Sequence, residues 1–156
     1  MLKKIIQEDL KQALKGRRQI EVSVLRLLNA ATLNREKEKR YKLKTEEDTP
    51  LTEDELLEVI FSEAKKRKEA IVEFERGARP DLVQKEKQEL EILGKYLPEQ
   101  MSEEEIKKLA KEAIEKTGAK DVKDTGRVMA ELMPRVKGRA EGSLLSKAVK
   151  ELLGHG

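Results

Sequence analysis

The sequence predicts an all-α fold, with an elongated N-terminal helical part over residues 1–98 followed by a small three-helix C-terminal domain over residues 101–156. Three observations predict it. Apolar residues recur at i, i+3, i+4 and i+7, the spacing of one helix face, in stretch after stretch. Two capping boxes, Thr52 with Glu55 and Ser102 with Glu105, mark helix starts. Charged residues make up 42% of the chain and aromatics 3%, which suits amphipathic helices and suits β-sheets poorly, because strands favour β-branched and aromatic residues. The regular apolar spacing also argues against the disorder that so much charge would otherwise suggest.

The first helix is expected from Leu2 to Lys15, with Leu2, Ile5, Ile6, Leu10, Ala13 and Leu14 at helical spacing and Gly16 ending it. The second runs from Arg18 to Arg40 on a face of Ile20, Val24, Leu27, Leu28 and Ala31, and residues 42–50 read as a polar loop. The third starts at the Thr52 cap, with Leu51 stapling onto Leu56, and runs to Arg76 before Gly77. Pro80 and Asp81 open the fourth, which shows Leu82, Val83, Leu90, Leu93 and Leu97 and is stopped by Pro98. The fifth starts at the Ser102 cap and presents Ile106, Leu109, Ala110, Ala113 and Ile114 before Gly118. The sixth starts near Asp121 and carries Val128, Met129, Leu132 and Met133 before Pro134. The seventh starts near Ser143 and carries Leu144, Leu145, Ala148, Val149, Leu152 and Leu153.

Several function classes fall away on composition. With no Cys, the chain has neither disulfides, thiolate catalysis nor cysteine-based metal sites. The one histidine, His155, stands next to the C-terminus, so no metal site and no fixed imidazole base are expected. No stretch approaches the ~20 apolar residues of a membrane span, and the N-terminus has no apolar signal-peptide core. A cytoplasmic protein without membrane contact is the expectation. There is no GxSxG elbow, no Walker A run and no GxGxxG. The carboxylate pair Glu86 and Glu89 sits among Lys85, Lys87 and Gln88 and reads as a solvated face. No catalytic residue and no cofactor are expected.

A net charge of +3, from 34 basic and 31 acidic residues, leaves polyanion binding to local clusters. Two clusters read as solvated helix surface. One runs from Arg35 to Lys44, and the other is Lys65, Lys66, Arg67 and Lys68. The third differs. Between Lys123 and Lys150, seven basic residues (Lys123, Arg127, Arg135, Lys137, Arg139, Lys147 and Lys150) face three acids, a local excess of +4. Gly126, Gly138 and Gly142 are interleaved, and glycines let backbone approach a ligand closely or turn tightly. The expected site is therefore Lys123, Gly126, Arg127, Arg135, Lys137, Gly138, Arg139, Gly142 and Lys147, contacting the phosphate backbone of tRNA or structured RNA. Phe61, Phe74, Tyr41 and Tyr96 all lie N-terminal to this stretch, so recognition by base stacking is not expected.

Seven segments together resemble the YqeY family. They are Leu51–Ile60, Lys66–Ile71, Phe74–Leu82, Glu89–Leu93, Tyr96–Glu105, Gly126–Ala130 and Val136–Leu144. The family is similar to the C-terminal tail of the B subunit of glutamine-dependent tRNA amidotransferase. That likeness implies an all-α fold ending in a small three-helix domain. In the amidotransferase the tail helps hold the tRNA body while distant domains perform the carbon–nitrogen ligation with glutamine as amide donor. The kinase and amidase machinery of that reaction is absent from so short a chain. The resemblance thus implies a non-catalytic module, at most accessory to such a ligase, with its RNA-facing positions at Gly126, Arg127, Lys137, Gly138, Arg139 and Gly142. The alternative expectation is a protein–protein adaptor, with an exposed apolar patch on the second and third helices around Leu28 and Ile60.

Overall fold

The computed structural model of the chain describes residues 1–154. His155 lies outside the described residues. Every regular element among the described residues is helical, as the sequence predicts. The elements are α1 (Leu2–Lys15), α2 (Gln19–Leu43), α3 (Glu53–Arg76), α4 (Pro80–Gly94), α5 (Glu103–Thr117), α6 (Thr125–Leu132) and α7 (Gly142–Gly154). Two single 3₁₀ turns, Val122–Asp124 and Met133–Arg135, flank α6. Packing divides the chain into two compact units, Met1–Leu97 and Pro98 onward.

The first unit is built on the α3–α4 pair, its most extensive helix packing. Ile6 of α1, Val24, Leu25 and Leu28 of α2, Leu56, Val59, Ile60 and Ala64 of α3, and Leu93 of α4 share one buried cluster. Each fully buried Leu or Ile contributes about 1.5–3 kcal/mol relative to an exposed one. The Thr52 capping box forms as the sequence specifies. Thr52 Oγ1 accepts from the Glu55 amide at 3.1 Å, and Glu55 Oε1 accepts from the Thr52 amide at 3.2 Å. The end of this unit is tied back to α1 by Tyr96, whose hydroxyl donates to Asp9 Oδ2 at 2.6 Å. Burial first, and then the bond to Asp9, push the phenol upward from its ordinary value.

Four readings of this unit are corrected. Helix α2 extends to Leu43, because Lys44 adopts the left-handed conformation that closes it rather than unwinding at Arg40. Helix α4 ends at Gly94, short of Pro98. The amides of Lys95, Tyr96 and Leu97 tighten into bonds three residues back. Leu28 and Ile60, expected on an exposed patch, are buried in the unit's own core.

The fourth correction concerns charge. Arg67 and Glu89, read as solvated, are 9% and 6% exposed. Arg67 donates to Glu63 Oε2 at 2.6 Å on its own helix, and its Nε lies 3.6 Å from Glu89 Oε2 on α4 without completing a hydrogen bond. Glu86, one turn from Glu89, has its carboxyl raised, first by burial and then by the Glu89 charge. This cross-helix meeting is invisible to a reading of either helix alone.

The second unit closes around Ile106, Ala110 and Ala113 of α5, Val128 and Leu132 of α6, and Leu145, Ala148, Val149 and Leu153 of α7. Ser102 forms the second capping box with Glu105, its Oγ accepting at 3.2 Å and Glu105 Oε2 accepting at 2.9 Å. Helix α6 is shorter than expected. Asp121 caps a 3₁₀ turn instead of the helix itself, accepting from the Lys123 amide at 2.9 Å, and a second 3₁₀ turn absorbs Pro134.

Candidate nucleic-acid interface

The segment linking α6 to α7 is not a loose glycine loop. Val136 and Ala140 are buried in the unit's core and fix it from below. Gly138 between them is buried at φ +72°, a conformation that glycine adopts at no steric cost. The Gln100 side chain donates to the Gly138 carbonyl at 2.7 Å, Met101 N–H donates to the Arg139 carbonyl at 2.9 Å, and Arg139 Nε donates to the Glu99 carbonyl at 3.0 Å. The segment is thereby sewn to the residues preceding α5. Gly138 shapes this turn from inside.

These anchors set the course of the chain. Glu131 meets Lys116 at 2.6 Å, Arg135 meets Glu112 at 3.5 Å, and Arg139 reaches Glu99. From Glu131 to Arg139 the backbone therefore runs antiparallel along one flank of α5. From Lys116 back to Ser102 that flank is about 20 Å long at the helical rise of about 1.5 Å per residue. Arg127 stands one turn before Glu131 on α6, with its Nη2 at 3.5 Å from Asp124. Lys123 and Lys137 are exposed.

Carboxylates are threaded through this strip. Asp124 is held below the ordinary carboxylate range, first by the Lys120 amide and also by the Arg127 charge. Glu131 is likewise lowered, first by the hydrogen bond from Lys116 and then by the charges of Lys116 and Arg135. Each therefore stays ionised at neutral pH and tempers the field. Glu112 and Lys116 belong to this surface although they lie outside the basic sequence window. The available signal was their i, i+4 spacing on the side of α5 away from Glu103 and Lys107.

Lys147 is not part of the strip. It lies with Glu103, Lys107, Leu144 and Glu151 around a groove of about 150 Å³ between α5 and α7, on the opposite flank of α5 from Glu112 and Lys116. Gly126 and Gly142 have ordinary backbone. A Cβ at Gly126 would meet nothing within 4 Å, and one at Gly142 would meet only Met133 at 3.9 Å. Neither glycine is demanded by the unit's own packing. Among the described residues no group of three or more His, Cys, Asp or Glu side chains could hold a metal ion, and no helix is long and apolar enough to cross a membrane.

Residues 3–153 match the model of the family described as "Yqey-like protein". A protein of Pyrenophora tritici-repentis named "Altered inheritance of mitochondria protein 41, mitochondrial" is 32% identical over 154 residues, covering 96% of this chain and 79% of its own. An uncharacterised protein of Schizosaccharomyces pombe is 41% identical over 54 residues, covering 34% of this chain and 44% of its own.

Proposed function

The chain belongs to the Yqey-like protein family, and we propose that it is a non-catalytic helical module that grips tRNA or structured RNA by its phosphate backbone through the unit following Pro98. The observation that carries this reading is the course of Arg135 and Arg139 along one flank of α5, with Arg127 one turn before Glu131 on α6. The acids nearest Arg127 and Arg135 stand 3.5 Å away. Pairs that long and that exposed contribute little, so the guanidiniums can exchange them for phosphate oxygens, which they bind in a bidentate fork. Lys123 and Lys137 widen the strip, Gly126 and Gly142 leave room for close approach, and Gly138 holds the turn in shape. Lys147, on the opposite flank, adds a second contact only to an RNA that wraps around α5.

The module's place beside a tRNA amidotransferase-type carbon–nitrogen ligase, as an accessory that presents the tRNA body, is part of this proposal. So are a cytoplasmic location and the separability of the two units as domains. The name of the Pyrenophora relative puts that protein in mitochondria. RNA gripping serves either compartment. The test is a fluorescence-polarisation titration of the full chain with bulk tRNA beside a variant carrying Arg127→Gln, Arg135→Gln and Lys137→Gln. Arg139 is left intact because it holds the turn to Glu99. The variant is expected to bind at least about tenfold more weakly. Equal affinity of variant and parent would remove the reading.

A further inference from the structure

The first unit carries a surface that its own packing leaves unfinished. At the end of α1 and along the first half of α2, Leu14, Val22, Ser23 and Leu27 line an open depression of about 600 Å³. Leu14 is 47% and Leu27 49% exposed. A single exposed leucine means little. Here two leucines from different helices flank one concavity, and Leu28, the next residue along, is fully committed to the core.

The rim has one sign of charge. Arg17 and Arg26 are the charged residues lining the depression among the described residues, and no carboxylate lines it. Neither guanidinium has an ion-pair partner within 4 Å among the described residues, whereas neighbouring Arg18 is paired with Glu21 at 3.2 Å. The groove on the other side of Leu27, between α2 and α3, carries both signs, with Arg35, Glu38, Glu58, Glu63 and Lys66. The α1–α2 depression thus joins Leu14, Val22 and Leu27 to the uncharged Gln19 and Ser23, and the charge on its lining is purely cationic.

We propose that this depression receives an acidic amphipathic helix from a protein partner, with apolar side chains over Leu14 and Leu27 and carboxylates facing Arg17 and Arg26. From Gln19 to Leu27 the α2 face is about 12 Å long, a little over two helical turns. That length seats anchors at i, i+3 or i+4, and i+7, the spacing with which helices dock in grooves. A second copy of this chain in twofold contact would set arginine against arginine. An RNA strand would satisfy the arginines but leave both leucines wet, and no aromatic side chain lines the depression for a base to stack on.

The test uses the ¹⁵N-labelled full chain and two designed peptides of about 15 residues, near the length at which isolated helices become stable. Both carry Leu at i, i+3, i+4 and i+7. One has Glu and the other Lys at the flanking positions. The acidic peptide is expected to shift the amides of Leu14, Arg17 and residues 22–27, and the Lys peptide to leave them in place. Arg26→Glu is expected to weaken the acidic peptide about tenfold, as juxtaposed like charges do. Leu27→Asp is expected to abolish binding with an unchanged circular dichroism spectrum, and neither change alters tRNA affinity. Absence of shifts, equal shifts with both peptides, or shifts centred elsewhere would overturn the proposal. Loss of tRNA affinity in Arg26→Glu would assign the depression to nucleic acid instead.

Discussion

Glu55 shows how much one side chain can carry. Its carboxylate closes the capping box of α3 and also accepts from Lys39 Nζ of α2 at 2.7 Å. The Lys39 bond first, and the Thr52 amide second, hold its pKa down from 4.5 to about 2. A carboxyl depressed in the folded state stabilises above its unfolded pKa and loses that contribution as pH falls through its folded pKa. Glu55→Gln is therefore expected to lower stability at pH 7. The gap from the parent should close between pH about 4.5 and about 2, as read by urea midpoints across that range. A gap independent of pH would contradict this assignment. The adjacent leucines of α2 make a second contrast. Leu28 is 1% exposed and Leu27 49%, so Leu28→Ala should cost about 2–5 kcal/mol, while Leu27→Ala should stay within about 0.5 kcal/mol. Chemical denaturation of the two variants measures both.

At the scale of elements, four helix ends share one hydrogen-bond pattern. At the ends of α1, α2, α3 and α5, one amide bonds back five residues and the preceding amide bonds back three, as in Arg18 to Ala13 with Arg17 to Leu14. The motif needs one residue at positive φ. Gly118 supplies it after α5, but Arg17, Lys44 and Ala78 supply it elsewhere, at φ 54°, 52° and 52°. Gly16 and Gly77 stand one position early, at φ −81°. Glycine therefore marked these ends to within a residue and misidentified the strained one. Ala78→Gly is expected to stabilise the first unit by about 0.5–1 kcal/mol, because the left-handed conformation costs a non-glycine residue more than glycine. An unchanged or lowered midpoint would contradict it. Helix starts were legible for a physical reason. A capping box joins residues three apart, so Thr52–Glu55 and Ser102–Glu105 are complete in the sequence. The Arg67–Glu89 meeting is not, since the residues come from two helices whose pairing only the fold decides. The same limit hid the burial of Leu28 and Ile60, because periodicity shows that a helix has an apolar face but not what covers it.

On the scale of the whole molecule, charge is nearly balanced, at +3 over 156 residues, so any grip on a polyanion depends on placement. The excess of +4 between Lys123 and Lys150 was legible, but its geometry was not. Folding brings Glu112 of α5 beside Arg135, sets Lys147 on the other flank and turns Gly138 inward. What remains is a strip of Arg127, Arg135, Lys137 and Arg139 interrupted by Glu131. A strip of this kind binds by displacing counterions, and its signature is salt dependence rather than affinity alone. The most direct test of the RNA-gripping account is the slope of log affinity against log salt for the full chain with tRNA, beside the Arg127→Gln, Arg135→Gln, Lys137→Gln variant. The account predicts a steep negative slope for the parent and one shallower by about 2–3 for the variant, at about 0.7–0.9 for each phosphate that the variant no longer neutralises. A parent slope near zero, or one that the three substitutions leave unchanged, would contradict it.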